Sequence, residues 1–260
     1  MKIKKNRLSK IWKIMLAKSQ SQKFNPEESI FPLITYNPKT NIWKCLGTGF
    51  FINPYGGFVT AKHVAFENEN SYEPTLYAIQ TTKKQERHLR PIAYYRMHRN
   101  ADIVVGYLGK RRLSDGSNVE PEIAPAFQLN LKPLSEGDEV RTFAFPLSEA
   151  AEIESGTFEL SFKGTWSAGK IIELMDRSPL VNNKCYHTNM KIEGGASGGP
   201  VLKNNVVIGI NSSGFDITDG DPISFVTPID LILSLKVPDN REEITIHELV
   251  KKGHIKTSHR

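Results

Sequence analysis

Short apolar runs bounded by turn residues recur along the chain and predict β-strands. Gly47-Thr48-Gly49-Phe50-Phe51-Ile52 meets a Pro54-Tyr55-Gly56-Gly57 turn and returns as Phe58-Val59-Thr60-Ala61-Lys62-His63-Val64, a hairpin that ends on a histidine. Asn100-Ala101-Asp102 leads directly into Ile103-Val104-Val105-Gly106-Tyr107-Leu108, an acid placed before a strand of buried type. Further on, Val201-Leu202, a Lys203-Asn204-Asn205 turn and Val206-Val207-Ile208-Gly209-Ile210 form a second hairpin pattern. A helical period shows near the start, where Leu8, Ile11, Trp12 and Met15 fall at i, i+3, i+4 and i+7 with Lys10 and Lys13 on the opposite side.

The loop before the second hairpin is Gly194-Gly195-Ala196-Ser197-Gly198-Gly199-Pro200. A serine among so many glycines gives up packing for backbone access, which an acyl-transfer nucleophile needs, and the amides of Gly195 and Ser197 can converge on a developing oxyanion. The same residues also fit the nucleophile elbow of α/β-hydrolases, or a plain glycine-rich surface loop. Gly198, Gly199 and Pro200 count against the elbow, because a glycine costs about 1 kcal/mol and an interior proline about 3 kcal/mol in the helix that an elbow must open. A lone histidine after a strand is more often structural than catalytic, and an aspartate before one is more often a turn residue. Taken together, the order His63, Asp102, Ser197 places an imidazole, a carboxylate and a hydroxyl at element edges that a rigid β scaffold can present to one cleft.

On these residues the chain resembles the trypsin-like (chymotrypsin-fold) serine peptidases over most of residues 28–236, and within them the bacterial HtrA-type branch. Val140-Arg141-Thr142-Phe143-Ala144-Phe145-Pro146 is similar to the strand that opens that branch's second barrel, and Trp166-Ser167-Ala168-Gly169-Lys170-Ile171-Ile172 to its glycine-bearing third segment. Ile208-Gly209-Ile210-Asn211-Ser212 and Ile223-Ser224-Phe225-Val226-Thr227-Pro228 are similar to the two strands that border its substrate pocket. The resemblance implies an all-β fold of two packed six-stranded antiparallel β-barrels. The first covers about 28–125 and the second about 126–236, with a basic, potentially helical N-terminal arm over 1–27 and a short charged C-terminal tail over 237–260.

The resemblance also implies roles. Ser197 attacks the scissile carbonyl, His63 carries the proton, Asp102 orients the imidazole, and the Gly195 and Ser197 amides form the oxyanion hole. Ser212 and Gly214 belong to an edge segment that pairs with an extended substrate. Ile192 faces the primary pocket while Lys191 faces away, which suits a small or medium apolar side chain before the scissile bond; a register shifted by one residue would exchange the two faces. Ala196 stands where many animal members carry an aspartate that binds a new N-terminus, so no charged zymogen latch is expected. No HtrA-type peptide-binding PDZ appendage is expected after the body either, so trimerisation and chaperone function are not carried over. The expected function is a serine endopeptidase with a polypeptide substrate, no metal and no organic cofactor. The alternative is a catalytically silent protease-like module that binds extended peptides or a partner protein.

Charge changes the picture at the ends. Of the 260 residues, with net charge +6, Lys2, Lys4, Lys5, Arg7, Lys10, Lys13, Lys18 and Lys23 precede the first acid, Glu27, so the rest of the chain is slightly acidic. The body is therefore not a nucleic-acid binder by composition. The arm can dock on the body, meet an anionic membrane surface or bind an acidic partner, and docking or partial disorder is favoured over membrane contact. Lys13 interrupts the apolar core that a secretory signal requires, and no apolar run is long enough to span a membrane. Two cysteines, Cys45 and Cys185, are too few for a disulfide framework and are expected as buried free thiols in a cytoplasmic setting. His247-Glu248-Leu249-Val250-Lys251 lacks the second histidine of a zinc-binding His-Glu-x-x-His helix, so a metalloprotease is excluded.

Overall fold

The computed structural model describes residues 25–258 apart from 38, 68–69, 72–75, 113–116, 120–122, 147, 155–156, 217–219 and 240–241; the basic arm lies outside the described residues. Six strands, β1 (Ile30–Asn37), β2 (Ile42–Phe51), β3 (Gly57–Thr60), β4 (Leu76–Thr81), β5 (Arg87–Met97) and β6 (Val104–Leu108), close into a barrel with the order β1-β2-β3-β6-β5-β4. A second barrel repeats the same order, β7-β8-β9-β12-β11-β10, with β7 (Glu139–Ala144), β8 (Thr165–Met175), β9 (Cys185–Thr188), β10 (Pro200–Lys203), β11 (Val206–Phe215) and β12 (Ile223–Pro228). Every pairing within both barrels is antiparallel, as the resemblance implied.

Turn chemistry explains both hairpins seen in the sequence. Between β2 and β3 the Asn53 carboxamide oxygen accepts the amides of Tyr55 and Gly57 at 3.0 and 2.9 Å, and Gly56 takes φ +118°. Between β10 and β11 the two-residue loop Asn204-Asn205 has φ of 52° and 64°, the left-handed pair of a type I′ turn whose twist matches the flanking strands. Phe31, Phe50, Phe51 and Phe58 fill the first barrel, while Val140, Ile171, Met190, Val201 and Ile208 fill the second.

One buried cation steadies the strand that follows Asp102. Arg90, 1% exposed, donates to Gln80 Oε1 and to the carbonyls of Leu108 and Gly109 at 2.7, 3.0 and 2.9 Å, so β6 is tied at its far end. These acceptors are neutral, and burial pulls the guanidinium pKa down to about 10. Cys45 on β2 and Cys185 on β9 are free thiols, Cys185 buried as expected but Cys45 only partly so; burial pushes Cys45 up to about 11 and Cys185 in the same direction, so both stay protonated near neutrality.

The end of the chain is more than a charged tail. β13 (Lys236–Asp239) and β14 (Glu242–Thr245) form a hairpin that feeds the helix Ile246–Lys251, and Val237, Ile244, Ile246 and Ile255 are buried in the larger core. The near-zinc motif is accounted for by this helix. Thr245 Oγ1 accepts the Glu248 amide and the Glu248 carboxylate accepts the Thr245 amide at 2.9 Å, a capping box that holds the Glu248 carboxyl below its usual range. Leu129, in the connection between the barrels, lies between Val207 and Thr257, with its amide on Lys256 O and its carbonyl on the Ser258 amide.

Candidate active site

Three connections converge between the barrels. β3 ends at Thr60 and passes through extended Ala61 into a single helical turn, Lys62–Ala65, which buries Val64 and Ala65 and leaves the His63 ring half exposed. Asp102 precedes β6, where Ile103 and Val104 are fully buried and fix the backbone at its start. Its carboxylate accepts the His63 main-chain amide at 3.0 Å and faces His63 Nδ1 with both oxygens at 3.0 Å, so imidazole position and tautomer are set by one group.

Ser197 arrives from the second barrel in the loop before β10. Gly198, at φ +80°, lies so close to Thr60 Oγ1, Thr48 O and the Ala61 amide that a side chain would collide with the backbone leading into His63. Gly47 is equally tight, since a Cβ there would sit 2.6 Å from Val64 and 2.8 Å from Ser197 O. Absent side chains thus bring the serine loop against the histidine turn. Among the described residues no hydrogen bond joins Ser197 Oγ to His63 Nε2; such contacts commonly tighten only when substrate is bound.

The peptides before Ser197 make a tight turn. Gly195 has φ +90° and the Ala196 amide donates to Glu193 O at 3.0 Å, a turn of type II character over residues 193–196. Among the described residues neither the Gly195 nor the Ser197 amide has a protein acceptor. Ala196, 4% exposed, brings no charge to the loop.

On the His63–Asp102 side of this centre a cleft of about 650 Å³ is lined by His63, Phe66, Asp102, Leu180, Asn183 and Ser213. The stretch 213–215 of β11 pairs with β12 on one side and leaves its other edge open. Ser212 itself is turned inward, its hydroxyl 2.6 Å from Thr227 Oγ1, so only its backbone can meet a ligand. Ile192 packs on the second-barrel core and its Cβ lies beside the site of any Cβ at Gly214, at 3.3 Å. Lys191 points outward between Glu193 and Asp216, each at 3.4 Å, and the Asp216 and Glu193 carboxylates raise its pKa. Asn183, which the sequence did not single out, reaches from just before β9 to accept the Asp102 amide at 3.0 Å. Its carboxamide also donates to Lys184 O and Thr227 Oγ1, which ties the acid of one barrel to the wall of the other.

The sequence profile described as Trypsin matches residues 32–235, which takes in both barrels and all three converging connections. The chain belongs to the trypsin family. No curated protein matches the sequence, whereas solved structures match the fold of this trypsin-family chain. Deg5 is 17% identical with a TM-score of 0.58 over 92% of this chain and 96% of its own. The HtrA-type protease AlgW, solved with a decapeptide, is 16% identical with a TM-score of 0.54 over 79% of this chain and 62% of its own. The inactive form of the Rv3671c protease from M. tuberculosis is 18% identical with a TM-score of 0.51 over 78% and 84%. In family terms, the His63 turn and Asp102 come from the first barrel and the Ser197 loop from the second, so the site exists only where the barrels meet.

Proposed function

We propose that this trypsin-family chain is a serine endopeptidase whose nucleophile is Ser197. The carrying observation is the His63 ring held by both oxygens of Asp102 at the junction where the Ser197 loop leaves two amides without acceptors among the described residues. In the reaction the Ser197 Oγ–C bond forms as the hydroxyl proton moves to His63 Nε2 and the carbonyl π electrons shift to oxygen. The amides of Gly195 and Ser197 donate to that oxyanion, each worth about 3 kcal/mol of transition-state stabilisation. His63 then protonates the departing amine as the C–N bond breaks, and water cleaves the acyl-enzyme by the same steps in reverse. Asp102 stabilises the imidazolium throughout and keeps its own charge.

An extended peptide fits the open edge at 213–215 by strand addition, which leaves its scissile carbonyl toward Ser197. AlgW, a fold relative, was solved with a decapeptide, and the comparison supports a peptide as the ligand here. A fluorophosphonate probe tests the chemistry: the intact chain is labelled, and both Ser197→Ala and His63→Ala abolish labelling. A wild-type chain that does not react, or labelling indifferent to loss of His63, would favour a peptide-binding module without catalysis.

Ile192 packs on the second-barrel core beside Gly214 while Lys191 is turned out between two carboxylates, and this supports an apolar primary pocket. Cleavage of a peptide library is expected after Ala, Val or residues of similar size. A preference for Asp or Glu at that position would show that Lys191, not Ile192, faces the substrate.

A further inference from the structure

The loop that carries the oxyanion donors is fastened from behind by groups without charge. The Thr48 hydroxyl, on β2, donates to Gly195 O at 2.9 Å and accepts the Phe145 amide at 3.2 Å. The Thr48 amide donates to Ser197 O at 2.8 Å, and the Thr48 carbonyl is itself held by Thr60 Oγ1 at 2.8 Å. Asn211 Nδ2, on β11, donates to Ala196 O at 3.2 Å and to Thr142 Oγ1 at 2.8 Å, and the Gly199 amide also reaches Ala196 O. Thr48 and Asn211 are completely buried. Three successive carbonyls, from Gly195 to Ser197, therefore have fixed partners, drawn from both barrels.

In a trans peptide the carbonyl and the following amide point in opposite directions. Fixing Ala196 O on Asn211 therefore aims the Ser197 amide away from the interior. Fixing Gly195 O on Thr48 immobilises the plane between Gly195 and Ala196, whose amide end is already held by Glu193 O. The Gly195 amide belongs to the preceding plane, between Gly194 and Gly195, which hinges on the fixed one through the Gly195 φ of +90° and whose orientation distinguishes the type II turn from type I. Loss of the hydroxyl loosens that anchor and lets the plane between Gly194 and Gly195 turn over toward a type I form, with negative φ at Gly195 and a redirected amide.

We propose that Thr48 and Asn211 are positioning residues, an uncharged latch that sets the two oxyanion donors of the Ser197 loop. The latch rests on the serine-peptidase reading for its catalytic consequence and on geometry alone for its effect on the loop. Thr48→Val keeps shape and burial but removes the hydroxyl. Its kcat is expected to fall about 10²-fold, the order of effect that a misplaced donor has. KM is expected to stay within about threefold, since uniform binding is untouched, and Thr48→Ser restores kcat.

A peptide aldehyde gives a readout that a merely structural role would not move. Ser197 Oγ adds to its carbonyl carbon, the hydroxyl proton passes to His63 and the oxygen takes up the π electrons, with no leaving group. Its affinity is expected to drop as kcat does in Thr48→Val, while binding of a product peptide is unchanged. A crystal structure of Thr48→Val reads the loop even in a chain without activity, and Gly195 is expected to leave the +90° region. An unchanged Gly195 φ, a kcat equal to wild type, or parallel losses for aldehyde and product would overturn the latch. If Thr48→Val does not fold, Asn211→Ala removes the donor to Ala196 O without added bulk and carries the same kinetic and aldehyde measurements, its crystal structure reading a turned Ser197 amide in place of the Gly195 angle. A wild-type chain that neither reacts nor turns over would instead overturn the peptidase reading, with the Gly195 angle still deciding the latch.

Discussion

Asp102→Asn is expected to lower kcat about 10⁴-fold with the fold intact, the size that this change has in trypsin-type triads. The carboxylate accepts at every contact it makes to His63, from the main-chain amide and from Nδ1–H. A carboxamide has one accepting oxygen and one donating nitrogen. If the oxygen keeps the His63 amide, the nitrogen faces Nδ1, which must then accept, and the imidazole proton moves to Nε2. That tautomer cannot take the Ser197 proton. The fold has little reason to respond, because the side chains have nearly the same shape, Asp102 is partly exposed, and its amide still donates to Asn183. Steady-state kinetics on a peptide, with a thermal melt beside them, check this. A kcat within tenfold of wild type, or a melt that collapses with activity, would mean that Asp102 serves the structure and not the imidazole.

The parts of this site that were legible in the sequence are those that depend on neighbours in the chain. His63 stood out because a hairpin delivers it, Asp102 because a buried strand follows it, and Ser197 because glycines surround it. Gly198 explains why that signal is strong: its left-handed φ and its contact with the Thr48 and Ala61 backbone and the Thr60 hydroxyl admit no side chain. The supporting residues leave no local mark. Thr48 and Gly195 are 147 residues apart, and Asp102 and Asn183 are 81 apart, so a threonine in a strand and an asparagine in a loop look ordinary until the barrels are packed. The repeated strand order of the two barrels is hidden for a similar reason, since β3 pairs with β6 across two intervening barrel strands. The last two dozen residues read as a tail because Val237, Ile244, Ile246 and Ile255 are few among charges. Each is nevertheless nearly or fully buried.

Ending the chain at Asp239 is consequently expected to unfold most of the protein and not merely to trim it. Ile246 and Ile255 are 1% exposed and Ile244 is 8% exposed, and burying a side chain of this kind contributes about 1.5 to 3 kcal/mol, an upper estimate when the unfolded chain is compact. Three such losses approach the whole stability of an ordinary domain, about 5 to 15 kcal/mol. The damage is also placed where it matters for the site. β13 loses its only partner strand among the described residues, and Val237 and Leu235 beneath it become exposed. Leu129 loses the 256–258 segment on one side of the connection that joins the barrels, while its pairing with Val207 survives on the other. Because the histidine turn and the serine loop come from different barrels, loosening that joint separates them before either barrel need melt. Urea unfolding followed by tryptophan fluorescence, with fluorophosphonate labelling on the same samples, distinguishes the cases. The shortened chain is expected to show no cooperative transition at room temperature and no labelling. A midpoint near that of the full chain would mean that the buried isoleucines cover the core without holding it.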